Sequence, residues 1–328
     1  MSLNGISTFE MNGSEEKREV RITRKEEVAN GVYFFELTVV DDAPLPVCQP
    51  GAHITVETPA GDNRWYSICS VGEGRKSYRI AVRREAAGRG GSRSMADDTE
   101  VGDTLSVSNP GNEFELEDAP GYLLIAGGIG ITPIYSMWRH LIEIGHSSFQ
   151  LIYLTRSPQD TLFLDELSQG DSQRKPIIHH SQGEPGGRFD FWDLLEKPTA
   201  DHIYCCGSKS LVSDIKDMTG HWPSSQIHFE DFAPVEAVRA GDKAFKVRLK
   251  SSDEVIEVSE SETLLHALRK SGHRVSSSCE SGSCGSCKTV YLAGSIDHRD
   301  LVLEDDEKKN YIMVCVSRAA DEEIVLDL

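Results

Sequence analysis

The chain has 328 residues, 38% of them apolar and 27% charged, and 53 Asp and Glu outweigh 34 Lys and Arg to leave a net charge of −19. That length predicts two or three separately cored domains of ordinary globular composition, and the acidity argues against nucleic acid as a partner. The apolar, uncharged stretch Tyr122–Trp138 carries three glycines and a proline and is slightly too short to span a bilayer, so no membrane segment is expected.

Residues 1–17 contain no apolar signal-peptide core and are expected to form a disordered lead. A cytoplasmic location follows, where clustered cysteines favour metal ligation over disulfides, and a monomer is expected. From residue 18 to 115, "KREVRITRKEEV", "GVYFFELTVV", "GAHITVETP", "RWYSICSV", "SYRIAVRRE" and "DTLSVSNP" are β-rich runs bounded by Gly, Pro or Asp, the pattern of a small antiparallel barrel. Residues 116–232 change rhythm. "YLLIAGG" is a buried strand leading into the helical "TPIYSMWRHLIEIG", and strands and helices then alternate through "DHIYCCG" and "LVSDIKDMTG", which predicts a parallel α/β sheet. "IHFEDFAPVEAVRAGDKA" reads as a boundary, with residues 233–244 as the linker. Residues 245–328 predict two strands, a helix ("ETLLHALRKSG"), a cysteine loop and further short strands.

The cysteine loop is the sharpest signal. Cys279, Cys284 and Cys287 follow Cys-x4-Cys-x2-Cys, with 27 residues before Cys315, the ligand spacing of a plant-type 2Fe–2S cluster. Three thiolates wrapping a small cluster need a tight turn with small side chains, and Ser281, Gly282, Ser283, Gly285 and Ser286 supply them. Backbone N–H groups can then point at the sulfurs. Zinc is the competing metal, but it takes paired Cys-x2-Cys hooks and only one is present. Cys48, Cys69 and Cys205 read as small core residues.

"AGGIGITPI" sets Gly127, Gly128 and Gly130 between strand and helix, with Thr132 as N-cap and Pro133 at the first helical position, so bare N–H groups could meet a diphosphate. The strand end Thr155–Arg156 leaves room for either a 2′-phosphate or a free ribose hydroxyl. At "YCCG", Cys206 and Gly207 end a strand where a nicotinamide could sit, although a lone cysteine there is more often inert core. In the barrel, "NRWYS" alternates Arg64 and Tyr66 with Trp65 and Ser67, and Arg89, Gly90, Gly91 and Ser92 could cradle a phosphate; alone, that loop reads as a flexible basic turn. No two-histidine, one-carboxylate iron site stands out.

Together these motifs resemble the phthalate dioxygenase reductase family, the flavin reductases that feed Rieske oxygenases. The likeness covers nearly the full length: Arg64-x-Tyr66-Ser67, Gly88–Ser92, Gly127–Pro133, Cys205–Gly207, "IHFEDF" and the cysteine loop. Trp65 in the variable flavin slot and Ser208 in place of a common proline are departures that remove no required group. The resemblance implies a multidomain chain of antiparallel flavin β-barrel, α/β parallel-sheet nicotinamide domain and α+β β-grasp ferredoxin. It implies FMN rather than FAD, NADH rather than NADPH, and a Rieske-type terminal oxygenase as electron acceptor. FMN is then expected against Arg64, Trp65, Tyr66, Ser67, the strand end Ala81, Val82 and Arg83, the loop Arg89–Ser92, and Phe232 on the ring. NADH is expected against Gly127, Gly128, Gly130, Thr132, Thr155, Arg156, Cys206 and Gly207, with Ser67, Cys206 and Phe232 at the reacting atoms. A reductase of another oxygenase or demethylase system is the alternative reading, and a non-enzymatic iron–sulfur redox sensor is the reading from another class, which two cofactor-sized domains oppose.

Overall fold

The computed structural model describes residues 17–41, 43–86, 88, 90–168, 175–183, 186–232, 237–277, 279–282 and 285–328. The six β-rich runs form a closed antiparallel barrel: β1 (Arg18–Ala29), β2 (Val32–Val39), β3 (His53–Glu57), β4 (Asn63–Val71), β5 (Ser77–Arg83) and β6 (Thr104–Val107), in the order β1-β2-β5-β4-β3-β6. Pairing of β1 with β6, from Arg18 opposite Val107 to Arg21 opposite Thr104, closes it. Alternation sends Val20, Ile22, Phe35, Leu37, Ile54, Val56, Ile68 and Ile80 inward. A short helix, α1 (Gly91–Asp97), fills the turn after β5.

The second unit is a parallel sheet of β7 (Tyr122–Gly127), β8 (Phe149–Thr155), β9 (Ile177–His180), β10 (His202–Gly207) and β11 (Ile227–Asp231), ordered β11-β10-β7-β8-β9. Its helices are α2 (Ile131–Glu143), α3 (Leu164–Ser168), α4 (Trp192–Leu195) and α5 (Lys209–Met218). Strand order reverses between β7 and β10, so the ends of those two strands flank the crevice where such sheets bind ligands. Ile227–Asp231, which the sequence placed in a boundary stretch, is the edge strand.

In the third unit β12 (Phe245–Leu249), β13 (Val255–Val258), β14 (Lys288–Ala293), β16 (Tyr311–Met313) and β18 (Glu323–Leu326) form one sheet, ordered β13-β12-β18-β14-β16, with β12 and β18 parallel. Helix α6 (Leu264–Lys270) buries Leu264, Leu265 and Leu268 against it, and β15 (Ile296–Asp297) pairs with β17 (Arg318–Ala319).

The cores divide unevenly. Barrel residues Ala29, Val32, Cys69 and Ala81 share one apolar cluster with Ile131, Ile134, Met137, Trp138 and Leu141 of α2 and with β7 and β8. The third unit has its own core, from Ala237 to Leu326. Within the stretch read as linker, Asp242 joins that unit: it accepts two bonds from Arg299, at 2.7 and 2.8 Å, which hold its carboxyl down at about 2.

The turn after β7 is set by contact. A Cβ on Gly130 would lie 2.3 Å from the Cys206 carbonyl oxygen, and one on Gly207 would lie 3.1 Å from Gly127 Cα. Thr132 does not cap the helix as expected. Gly130 precedes α2 without a side-chain cap, and the Thr132 hydroxyl, one residue inside, donates to the Ile129 carbonyl at 3.0 Å. Gly130→Ala should therefore destabilise the protein by about 2 kcal/mol, since backbone must move to admit a methyl group. Urea unfolding of the variant against wild type measures it.

Candidate functional site

The ends of β7, β8 and β10 open on a cleft of about 1410 Å³, roofed by the barrel. Gly127, Gly128, Thr155, Arg156 and Gly207 line its sheet side, Val32, Arg83 and Gly88 its barrel side, and Phe232, 37% exposed, stands between them. Residues from segments more than a hundred positions apart thus face one cavity. Gly128 is left-handed, with φ of 54°, so here glycine relieves strain as well as crowding. Cys206 is fully buried. Its thiol points at Glu230 Oε2, 3.9 Å away, on the neighbouring strand.

Glu230 is the residue that the sequence reading missed. It is half-buried by area, yet its carboxyl is closely surrounded by protein. That desolvation, reinforced by Glu113, pushes its pKa up to about 8. A carboxyl that holds its proton at neutral pH, beside the thiol at the strand end, can donate a hydrogen bond into the site. The signal lay in "HFED", but only pairing of β10 with β11, Cys206 opposite Glu230, brings it to the cysteine.

On the barrel, Tyr66 is the test of whether the site fits a flavin. Its hydroxyl is buried without a protein hydrogen-bond partner among the described residues, and burial raises its pKa. Buried hydroxyls are rarely left unpaired, so this one suits a polar ligand atom. Trp65 stacks on His53 with ring centroids 3.8 Å apart, and Ser67 is buried on the same strand. Ala81 and Val82 are buried, while Arg83 reaches the cleft and pairs with Glu85 at 3.0 Å. Gly90, at φ 101°, Gly91 and Ser92 form the turn into α1; Arg89 lies outside the described residues. A Cβ on Gly91 would lie 2.9 Å from Arg64 Nε, so loop and guanidinium do meet. Arg64 also binds Asp62 and, across the domain boundary, Glu280, each at 2.9 Å.

Cys279, Cys287 and Cys315 are buried, free of disulfides and gathered at one point; Cys284 lies outside the described residues. Hydrogen bonding with Cys287, burial and the proximity of Cys279 all push the Cys315 thiol up, the crowding that a bound cationic cluster would relieve. The Ser281 N–H points at Cys279 Sγ at 3.3 Å, and positive φ at Glu280, Gly282 and Gly285 tightens the loop. These donors and turns match what cluster thiolates need.

Away from the cleft, Glu117, His202 and His228 bring potential ligand atoms within 4.8 Å of one another, a set that the sequence alone did not suggest. The two imidazoles hydrogen-bond to each other at 3.0 Å at the start of β10 and β11, the opposite end of the sheet from Cys206.

Residues 247–320 match the 2Fe-2S iron-sulfur cluster binding domain, and residues 124–217 the oxidoreductase NAD-binding domain. With the barrel, these define an oxidoreductase that uses NAD, a flavin and a 2Fe–2S cluster. The chain is 49% identical to phthalate dioxygenase reductase of Burkholderia cepacia, over 94% of this chain and 97% of that one, and 45% identical to the phthalate 4,5-dioxygenase oxygenase reductase subunit of Pseudomonas putida, over 94% and 96%. The solved structure of a phthalate dioxygenase reductase superimposes with a TM-score of 0.82 at 48% identity, covering 95% of this chain and 98% of that one. The chain belongs to the phthalate dioxygenase reductase family, whose flavin is FMN.

Between pH about 4.5 and about 8 the folded state holds a proton on Glu230 that the unfolded chain has lost, so stability must fall as pH rises through that window. Glu230→Gln removes the dependence. Wild type should lose about 1–2 kcal/mol relative to the variant between pH 5 and 8, read from denaturant midpoints at each pH.

Proposed function

We propose that the chain carries electrons from NADH through FMN and the 2Fe–2S cluster to the Rieske centre of a separate aromatic-ring dioxygenase of the phthalate type. The observation that carries this reading is the cleft: the strand ends suited to a nicotinamide face Val32, Arg83 and Gly88 of the barrel, with Phe232, across one cavity, and Arg64 links that barrel to the cluster loop. We divide the chain into a lead (1–17), a flavin barrel (18–115), a nicotinamide domain (116–232), a joint (233–244) and a ferredoxin domain (245–328). No described helix is long and apolar enough to cross a membrane, and we propose a cytoplasmic monomer.

When bound, the flavin supplies conversion of one hydride into two single electrons, and the cluster supplies a one-electron exit. Arg64 and the Arg89–Ser92 loop would hold the flavin phosphate and carbonyl oxygens, Tyr66 and Ser67 would meet the ring system, and Ala81, Val82, Arg83 and Phe232 would flank it. Gly127 and Gly128, which line the cleft, would receive the dinucleotide phosphates, with buried Gly130 and Thr132 shaping the turn behind them, and Cys206 and Gly207 would adjoin the nicotinamide. Glu230 holds its proton beside Cys206 Sγ. The four cysteines 279, 284, 287 and 315 would hold the cluster. Asp160 supports NADH over NADPH: it is held ionised by the Ser157 hydroxyl, with Asn30 and Arg156 assisting, and a carboxylate beside Arg156 repels a 2′-phosphate.

Identity supports a phthalate-type acceptor over others, since the carnitine monooxygenase reductase subunit of Escherichia coli is only 36% identical. The stretch Asp297–Glu307 would flank docking. Several of its acids have structural duties: Asp297 pairs with Arg299, Asp300 binds Ser317 and the Leu303 N–H, and Glu307 pairs with Lys288. Asp305 and Asp306 project fully into solvent and pair with the local Lys308 and Lys309. They can attract a basic partner surface.

In anaerobic rapid mixing, NADH should reduce the flavin of Cys287→Ser at nearly the wild-type rate, while cytochrome c reduction falls to background. Loss of flavin reduction as well would overturn the order of carriers. With a phthalate-type oxygenase component as acceptor, the bimolecular rate should fall as salt rises, and failure to reduce any such component would remove the proposed partner. Residues 1–236 alone should remain a soluble flavoprotein, because barrel and parallel sheet share one core through α2 while the ferredoxin core is separate. Loss of FMN from that fragment, measured by fluorescence, would refute the proposed division.

A further inference from the structure

Glu280 follows the first cluster cysteine and does not behave as a loop residue. It is only 6% exposed and is held at φ 51°, a left-handed conformation unfavourable for a side chain of its size. Its carboxylate is divided between two domains. Oε2 accepts from Arg64 Nη1 on the barrel at 2.9 Å, and Oε1 accepts from Arg269 Nη1 on α6 at 2.7 Å and from the Ser277 hydroxyl at 3.0 Å. Arg64 in turn is anchored by Asp62 at 2.9 Å and by the Asn63 carbonyl at 2.7 Å, with its Nε against Gly91. A second bond, from Asn63 Nδ2 to the Ser277 carbonyl at 3.3 Å, joins the same two surfaces.

A carboxylate sequestered in this way must have its charge matched, and Arg64 brings part of that match from the other domain. If the ferredoxin unit lifts from the barrel, Glu280 loses the Arg64 arm and Arg64 loses its only cross-boundary carboxylate among the described residues. We infer that Glu280 is a positioning residue that seats the cluster loop on the flavin barrel through Arg64, and that electron passage from flavin to cluster depends on this seat. The inference rests on the electron route proposed above. Each NADH yields a hydride, hence two electrons and a proton, and the two electrons cross this seat in successive single steps.

Anaerobic stopped-flow of Glu280→Gln, in the full FMN- and cluster-loaded chain, separates the steps. NADH should bleach the flavin at the wild-type rate, and reduction of the cluster should slow about tenfold or more, because small misplacements of reacting partners cost large factors in rate. The electron paramagnetic resonance signal of the reduced cluster should be unchanged. Amide hydrogen exchange should rise at residues 62–66 of the barrel as well as in the loop. Arg269→Gln, which cuts only the arm within the ferredoxin domain, should leave exchange at residues 62–66 unchanged and slow transfer less than threefold.

Wild-type transfer and wild-type exchange in Glu280→Gln would overturn the inference, as would an equal slowing in Arg269→Gln without change at residues 62–66. Should Glu280→Gln lose its cluster, Asn63→Ala tests the same seat from the barrel side. It should raise exchange in residues 277–282, and its failure to do so would overturn the inference. Absence of NADH-driven cluster reduction in wild type would instead refute the electron route itself.

Discussion

Helix α2 is wedged between two sheets, and the geometry of the site depends on that wedge. One side of the helix packs on β7 and β8 of the parallel sheet, and the other meets Cys69 and Ala81 of the barrel, so the two units share a single apolar cluster. Two domains joined by one core cannot reorient without opening it. The cleft between β5 and the ends of β7, β8 and β10 is therefore a fixed distance across, which suits transfer of a hydride between two bound groups.

The glycine turn belongs to the same constraint. Gly127, Gly130 and Gly207 lack side chains because the ends of β7 and β10 approach so closely that a methyl group would strike backbone or the Leu211 side chain. That close approach leaves bare amides at the sheet's crevice and also places Cys206 and Glu230 side by side beneath it. Packing and binding thus draw on the same residues. Substitutions here are expected to disturb stability and function together.

The ferredoxin unit is joined differently. It has its own core, and among the contacts described its hold on the barrel runs through polar groups: Asn63 with Ser277 and Arg64 with Glu280. Polar contacts around a sequestered carboxylate favour one docking position through directed bonds. On the electron route proposed above, the two electrons that the flavin takes as a hydride would cross this junction singly.

Much of the architecture was legible in the sequence. The six β-rich runs, the strand and helix alternation and the short ferredoxin elements all lie where their periodicities placed them, because strands of a barrel alternate every second residue and buried parallel strands are uniformly apolar. The cysteine loop was legible for a stronger reason, since cluster geometry dictates ligand spacing directly. The capping role given to Thr132 was not borne out. The crowding of Gly130 against Cys206 sets that turn, and a helix start read from residue preferences alone cannot register a neighbour that lies 76 positions on.

What the amino-acid order determined by itself was the set of elements and the kind of chemistry: where strands run, where thiols cluster, where bare backbone meets a strand end. These are local properties, carried by neighbours a few residues apart. Only the tertiary structure decided which distant groups share an environment. Glu230 is an ordinary strand glutamate until β11 pairs with β10 and desolvates it, Arg64 an ordinary strand arginine until the cluster loop arrives, and Glu280 a polar loop residue until two domains close on it. Desolvation and ion pairing depend on what surrounds a group in space, and that surrounding is set by chain segments too far apart for any local pattern to connect.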